Sequence, residues 1–142
     1  MAPAHWQKVL AEEIHAPLYL IPPLLPTMRA QHWGRIILIG GRDADDWRED
    51  NTPLDYPLGK ASRHWLTRTL ARREAAHGIT VNAIAPSAIS YVELNDALSD
   101  LDHEEGWQRR EKPRPQDAGA LAAFLCSEEA RFVTGAVIPL GA

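Results

Sequence analysis

The sequence predicts an α/β fold in which a small parallel sheet of about three strands is flanked by helices. Three short apolar runs have the length and β-branched content of buried strands, and each follows a longer segment with helical spacing of apolar residues. The predicted strands lie near residues 35–40, 79–84 and 133–138, and the predicted helices near 6–29, 57–77 and 116–127. Because helix and strand alternate, crossovers should join the strands in parallel. A sheet this narrow leaves an edge exposed unless another chain covers it.

The first predicted helix contains Pro17, Pro22, Pro23 and Pro26. Each interior proline removes a helical hydrogen bond and clashes with the preceding turn, so this helix should kink or break near Pro22 and Pro23. The strand that follows ends at a pair of glycines. The polar, acidic stretch 42–55 comes next and has no histidine or cysteine at metal-ligand spacing. We interpret it as a solvated surface loop without a metal site.

The second helix begins at Pro57, a residue favoured in a first helical turn, and ends at His77–Gly78. Because the residue before a proline is pushed out of the α region, Tyr56 is predicted to cap this helix rather than lie in its first turn. The polar stretch 87–115, with a short helix near 92–101, is long enough to serve as a lid or a binding loop.

Charge and composition exclude several classes of partner. The net charge is −4 and the basic residues form no stripe, so neither nucleic acid nor an anionic membrane surface is expected to bind. No apolar run approaches the roughly 20 residues that span a bilayer, and the first residues lack the features of a signal peptide. Cys126, the single cysteine, lies among apolar residues and is expected to be buried and unreactive. These features favour a cytoplasmic protein of one domain.

Tyr56 and Lys60 stand four residues apart at the start of the second helix, just after a loop that follows a strand. Residues at this spacing share a helix face, and open α/β sheets bind ligands at the carboxyl ends of their strands. A tyrosine with a reference pKa of about 10 is a poor base at neutral pH, but a nearby ammonium favours the phenolate. The pair could therefore move a proton to or from a hydroxyl or carbonyl oxygen. Alone, the spacing also fits a packed tyrosine beside a solvated lysine.

Six segments follow one another in an order and at a spacing found together in one protein family. They are Trp6–Met28, Trp33–Ile37, Tyr56–Ser62, Gly78–Pro86, Pro115–Asp117 and Phe132–Gly135. Jointly they resemble the C-terminal half of a short-chain dehydrogenase/reductase (SDR) and cover nearly the whole chain. The resemblance implies a partial Rossmann-like fold with Tyr56 and Lys60 as the active-site pair. Features similar to the pteridine-reductase branch are Ile14–Pro17, Ser87 and Asn95–Asp96.

The resemblance also implies an NAD(P) cofactor, held on its nicotinamide side by Tyr56, Lys60, Pro86 and Ile89. The Gly-rich turn that binds the cofactor's pyrophosphate in the family does not occur in these 142 residues. We therefore interpret residues 1–142 as a single truncated SDR-like domain. Binding of NAD(P) by this chain alone is expected to be weak, with a dissociation constant on the order of a millimolar.

Two catalytic positions depart from the family pattern. The active-site serine would fall at Gly40 or Gly41, and neither residue has a hydroxyl. Asp43 could substitute for it, as an aspartate does in pteridine reductases, or could be a solvated loop carboxylate. Glu13 stands where the family usually has an asparagine, and it could stabilise the Lys60 ammonium or simply be exposed.

These features support three hypotheses. The first is an SDR-type oxidoreductase module, NAD(P)-linked by family, which acts on a carbonyl or alcohol of a small molecule. The second is an inactive pseudoenzyme or assembly subunit, and the third is a cofactor-independent proton-transfer enzyme that uses Tyr56 and Lys60. Because family members pair through helices equivalent to those here, we expect at least a homodimer or a partner SDR chain.

Overall fold

A computed structural model describes residues 3–46, 53–90, 93, 95 and 112–141. Its helices are α1 (Pro3–Val9), α2 (Ala16–Leu20), α3 (Leu25–Gln31), α4 (Asp55–Glu74) and α5 (Pro115–Cys126), and its strands are β1 (Gly34–Ile39), β2 (Ile79–Pro86) and β3 (Val137–Leu140). A π-helical segment, Leu10–His15, joins α1 to α2, and a 3₁₀ turn, Ala75–His77, extends α4. The short helix predicted near 92–101 and the loop residue Trp47 lie outside the described residues, apart from Glu93 and Asn95.

The described strands form one parallel sheet in the order β1-β2-β3, which confirms the predicted α/β fold. Gly34 lies opposite Ile79 in the first pair, and Ala83 lies opposite Val137 in the second. The central strand β2 is buried from Ile79 to Ala85 because both of its faces and both of its edges are covered. Its buried residues include two polar ones, Thr80 and Asn82.

The main apolar core lies between one face of the sheet and helices α3 and α4. Its buried members are Ile21, Leu25, Ile36, Leu38, Leu70, Ala71, Ile79, Val81 and Ala83. The sheet residues of this set alternate along their strands, as one face of a pleated sheet requires. Helix α5 also packs on β1 and β2 and buries Leu125 outside this cluster. The sheet is therefore layered with helices, as predicted.

The predicted first helix is broken where its prolines indicated. Residues Ile21 to Leu24 form a turn between α2 and α3, and the Ile21 amide still bonds the Pro17 carbonyl at 3.0 Å. The π-helical segment was not predicted, because a widened turn has no apolar period of its own. Helix α3 ends in the C-cap His32, whose left-handed φ of 50° leads the chain into β1.

The prediction of a third strand at 133–138 was wrong in its start, since β3 begins at Val137. Residues 133–136 are instead bound by side chains. The Asn82 amide donates to the Val133 carbonyl at 2.8 Å, and its oxygen accepts from the Ala136 amide at 3.2 Å. The Thr134 hydroxyl accepts from the Val81 amide at 3.0 Å. These bonds replace the strand ladder until Gly135, with a left-handed φ of 78°, has turned the chain into register.

Two further sequence predictions were wrong. Tyr56 does not cap α4, because Leu54 is the N-cap and Tyr56 is the second helical residue. A proline at the third position is tolerated there, since the first four helical amides have no intrahelical acceptor to lose. Cys126 is exposed rather than buried, because it is the last residue of α5 and lies about 100° around the helix from buried Leu125. None of the helices in the described ranges is long and apolar enough to cross a membrane.

Candidate active site

The candidate site lies at the carboxyl ends of β1 and β2, beside the first turns of α4. The strand ladder continues past the end of β1, because the Gly40 amide donates to the Ile84 carbonyl at 2.8 Å and the Arg42 amide to the Pro86 carbonyl at 3.1 Å. These bonds hold the backbone of the two glycines beside the last residues of β2. Loop residues at this edge of a parallel sheet are therefore held by the sheet itself.

An open cleft of about 440 Å³ occupies this edge. Its lining residues are Gly41, Arg42, Asp43, Tyr56, Pro86, Ser87 and Ala88. The structure thus brings together three residues selected from the sequence, Asp43, Tyr56 and Pro86. Ile89 is half-buried three residues beyond Pro86 and is not among the residues that line this cleft.

Lys60 lies one helical turn behind Tyr56. Its Nζ is 5.5 Å from the centroid of the Tyr56 ring, and its side chain is 12% exposed. Tyr56 itself is half-exposed toward the cleft. The Lys60 ammonium therefore lies at cation–π distance from the Tyr56 ring, in a partly water-excluded site.

Glu13 is the ion-pair partner of Lys60. Its Oε1 lies 3.1 Å from Lys60 Nζ, and its side chain is 15% exposed, so it is not the exposed carboxylate that the sequence left open. Arg63 Nε lies 2.9 Å from the other carboxylate oxygen and is directed at the Glu13 carbonyl, 3.3 Å away. One carboxylate therefore balances two cations, Lys60 and Arg63.

Arg63 also ties three elements together at this point. Its Nη2 donates to the Glu12 carbonyl at 2.9 Å, and its Nη1 donates to the Ile39 carbonyl at 3.0 Å. Pro17 has no N–H to donate to the carbonyls four and five residues before it, those of Glu13 and Glu12, and a guanidinium has enough N–H groups to reach several acceptors. Arg63 was missed in the sequence because its partners lie far away in the chain.

The two glycines at the end of β1 have different surroundings. A side chain at Gly40 would overlap the His64 imidazole, whereas a Cβ at Gly41 would lie 3.1 Å from Lys60 Cγ and 3.6 Å from the Tyr56 hydroxyl. Only Gly41 therefore offers a place from which a side-chain hydroxyl could act beside Tyr56. Asp43, two residues further, has a left-handed φ of 51° and an ion pair with Arg42 at 3.3 Å.

His64, Asp45 and Arg68 form a second cluster that the sequence did not reveal. His64 Nδ1 lies 2.9 Å from Asp45 Oδ1, and Arg68 Nη1 donates to Asp45 Oδ2 at 2.9 Å. Burial acts to raise the pKa of the Asp45 carboxyl, but its bonds to His64 and Arg68 outweigh this and hold that pKa below its usual range. The available signal was spacing, because His64 stands one turn after Lys60 on the same helix.

Comparison with known proteins places this architecture in a class. Residues 1–141 match a family model described as enoyl-(acyl carrier protein) reductase. The chain is 28% identical over 140 residues to dehydrogenase/reductase SDR family member 4 of Homo sapiens, which covers 96% of this chain and 50% of that protein. It is 30% identical over 145 residues to an acetoacetyl-CoA reductase of Allochromatium vinosum, covering 99% of this chain and 57% of the relative.

The solved structure of acetoin dehydrogenase from Salmonella typhimurium has the same fold over this region, with a TM-score of 0.77, 24% identity, and coverage of 99% of this chain and 55% of that one. This likeness shows that the chain has a Rossmann-like fold. The chain belongs to the short-chain dehydrogenase/reductase family, which is generally NAD(P)-dependent. It spans about half the length of the relatives that it matches.

Proposed function

We propose that this chain is the catalytic C-terminal part of an NAD(P)-linked oxidoreductase that acts on a carbonyl or alcohol of a small molecule. The observation that carries the proposal is the cleft itself. It places the Tyr56 ring, Asp43 and Pro86 around one space at the strand ends, with Lys60 in contact behind the ring. Such a space at the carboxyl edge of a parallel sheet is where this type of fold binds its ligands.

The residues fit the nicotinamide end of a dinucleotide and not its phosphate end. Gly41 lets the backbone come close to a ligand, and Lys60 has three N–H donors, of which Glu13 occupies one. Lys60, Tyr56, Pro86 and Ile89 would hold the nicotinamide and its ribose. These 142 residues contain no G-x-G-x-x-G sequence of the kind that receives the pyrophosphate. We propose that a polypeptide segment outside this sequence supplies that half.

Tyr56 is proposed as the general acid that protonates the substrate oxygen during reduction and takes the proton back during oxidation. Lys60 stabilises the phenolate that remains after the proton has left Tyr56. Glu13 holds the Lys60 ammonium in place through their ion pair. Asp43 is proposed to donate or accept a hydrogen bond at the same substrate oxygen, in the role of the missing serine. The bound cofactor would supply or accept the hydride.

The test compares tyrosines and lysines within one chain. With NADPH or NADH in millimolar excess and a panel of small ketones, Tyr56→Phe and Lys60→Ala should each lower turnover by about 100-fold or more, the usual size of a general-acid effect. Tyr19→Phe and Lys8→Ala are matched controls, because both residues are exposed and lie on the first helices away from the cleft. Calorimetry should give a dissociation constant on the order of a millimolar for the isolated chain.

The alternative of an inactive assembly subunit is favoured by one observation, the absence of a hydroxyl at both Gly40 and Gly41 beside Tyr56. The same assay separates the two functions. Turnover that is identical in wild type, Tyr56→Phe and Tyr19→Phe would be background and would support the inactive subunit. Micromolar NADPH binding with no other polypeptide present would show that the phosphate-binding half is not required.

A further inference from the structure

His64 is a buried histidine on the active-site helix that the proposed chemistry does not use. It follows Tyr56 and Lys60 at successive turns of α4, and it is 1% exposed. Its Nδ1 bonds the Asp45 carboxylate at 2.9 Å. Its Nε2 is buried and has no hydrogen-bond partner among the described residues.

The unpartnered Nε2 indicates what the imidazole contributes at this position. A buried polar atom without a partner destabilises a protein, and an aliphatic or aromatic side chain would fill the same space without that cost. The property that an imidazole adds over those side chains is the Nδ1 contact to Asp45. That contact is charge-assisted, because Asp45 also accepts from the Arg68 guanidinium and its pKa lies below the usual range.

The Asp45 contact fixes the segment that enters the cleft. Two consecutive turns, closed by the Ala44 amide on the Gly41 carbonyl at 3.3 Å and the Asp46 amide on the Asp43 carbonyl at 3.2 Å, follow the end of β1. Both bonds are long, so the turns hold themselves only weakly. Asp43 belongs to both turns and has a left-handed φ of 51°, which is uncommon for residues other than glycine, although aspartate adopts it more readily than most. The sheet holds this segment only as far as the Arg42 amide, so a contact further along would stabilise the second turn.

The position of His64, the partner of Asp45, is also fixed. The His64 ring fills the space where a side chain at Gly40 would lie, so helix α4 and the end of β1 are in direct contact at that point. The ring therefore has a fixed position relative to the strand end. A carboxylate bonded to it is fixed by the same contact.

We propose that His64 is a positioning residue that holds Asp45, and through it the double turn 41–46, so that Asp43 faces Tyr56 across the cleft. The effect of His64 on turnover rests on the function proposed above, whereas its effect on the stability of the turn does not. An experiment can therefore contradict the proposed function without contradicting the role of His64 in the turn.

The first experiment measures amide hydrogen exchange at Ala44 and Asp46 in the whole chain. His64→Leu, which fills the space without a donor, and Asp45→Asn should each accelerate exchange at both amides by about tenfold or more, the equivalent of one charge-assisted bond. His64→Asn, which can place an N–H near the position of Nδ1, should retain most of the protection, and His64→Gln, whose amide lies nearer the position of Nε2, should not. Exchange at Val81 and Ala83 in β2 should stay unchanged, which separates a local opening from global unfolding.

Arg68→Ala is the matched control, because Arg68 binds the same carboxylate from a half-exposed position without contacting Gly40. Acceleration by Arg68→Ala as large as that by Asp45→Asn would overturn the assignment to His64, and so would unchanged exchange in both His64→Leu and Asp45→Asn. If the wild type turns over a ketone, His64→Leu should lower kcat by about tenfold with little change in KM, and His64→Asn should restore it. Equal losses of turnover in the Leu and Asn variants would contradict positioning through Nδ1.

Discussion

At the scale of single residues, the adjacent glycines at the end of β1 show how differently two neighbouring positions can be constrained. Gly40 has no room for a side chain because the His64 ring occupies that space. A Cβ at Gly41 would lie 3.1 Å from Lys60 Cγ and 3.3 Å from Lys60 Cβ, so Lys60 would have to shift by only a few tenths of an ångström, and the φ of Gly41 is not in the left-handed region. A hydroxyl can therefore be added at Gly41 and not at Gly40.

Gly41→Ser should consequently raise turnover by about tenfold over wild type, because a hydroxyl beside Tyr56 donates to the reacting oxygen. Gly41→Ala controls for the added Cβ, and we expect no gain from it. Gly40→Ser should instead lower the free energy of unfolding by about 1–3 kcal/mol through overpacking. Steady-state kinetics and urea unfolding measure both effects, and an equal gain from Gly41→Ala would contradict the hydroxyl argument.

A second residue-scale feature, the ion pair of Arg29 with Glu74, predicts a pH dependence of stability. Arg29 Nε and Nη2 donate to the two oxygens of the buried Glu74 carboxylate at 2.7 and 2.6 Å. These bonds, which outweigh the effect of burial, hold the pKa of Glu74 below its usual range. A group whose pKa falls on folding stabilises the fold above its unfolded pKa of about 4.3, and this contribution is lost as the pH falls through the lower folded value.

Arg29→Ala should therefore cost about 2–4 kcal/mol of unfolding free energy at pH 7, since it leaves a buried carboxylate unpaired. The difference from wild type should shrink between pH 5 and pH 3, because protonation of Glu74 removes the unpaired charge. Urea unfolding across this range measures both. A difference that stays constant down to pH 3, or one that is matched by the exposed-site control Arg72→Ala, would contradict this account.

Part of the candidate site could be predicted from the sequence, for reasons that can be stated. Tyr56, Lys60 and Glu13 were found because family spacing carries them, and the structure places Glu13 on Lys60. His64 and Arg63 were not found, because their partners Asp45, Glu12 and Ile39 meet them only through tertiary packing. A residue whose partners are backbone carbonyls far away in the chain leaves no local pattern in the sequence that would predict it.

At the scale of elements, the sequence predicted the order of helices and strands and the break near Pro22 and Pro23, because apolar period and proline act locally. It misplaced the start of β3, since side-chain bonds from Asn82 and Thr134 replace the strand ladder there. The π-helical segment was missed as well. Its position is explained by a close approach of two elements.

That approach occurs at Gly59, where α4 meets the π-helical segment. A Cβ at Gly59 would lie 2.9 Å from both Cβ and Cγ of Glu13 and 3.2 Å from Val9 Cγ1. A larger residue would push the two elements apart and would displace Glu13 from Lys60. The glycine is therefore required both for helix packing and for the ion pair of the site.

Gly59→Ala is expected to lower the free energy of unfolding by about 1–3 kcal/mol, as overpacking of a close contact does. Gly119→Ala is the matched control, because Gly119 is also helical but has nothing within 4 Å of its Cβ position. That substitution should stabilise the chain by about 0.5–1 kcal/mol, the difference in helix propensity. Thermal and urea unfolding measure the stability of both variants. A stabilising effect of both substitutions would show that α4 can move away from the π-helical segment without cost.

At the scale of the whole molecule, the described residues leave considerable apolar surface uncovered. Helices α2 and α4 border an apolar hollow of about 280 Å³ that is lined by Glu13, Ile14, Pro17, Leu18, Ser62, Trp65 and Leu66. Trp65 is 66% exposed at its rim, and Leu18 and Leu58 are about half-exposed nearby. Exposed apolar side chains grouped around an apolar hollow favour an interaction surface.

We expect this surface to be covered by a second copy of the chain, in at least a dimer at micromolar concentration. A two-fold contact would place the same helices against each other and bury each Trp65 in the partner's hollow, where large aromatic residues contribute most to association. Trp65→Glu should raise the dimer dissociation constant by about 100-fold or more, since it places a charge in an apolar interface.

Phe132→Glu is the matched control, because Phe132 is also exposed and lies before β3, away from this hollow. Sedimentation equilibrium measures the assembly of all three chains. A monodisperse 15.8 kDa wild-type monomer, or dissociation by Phe132→Glu equal to that by Trp65→Glu, would contradict the proposed interface.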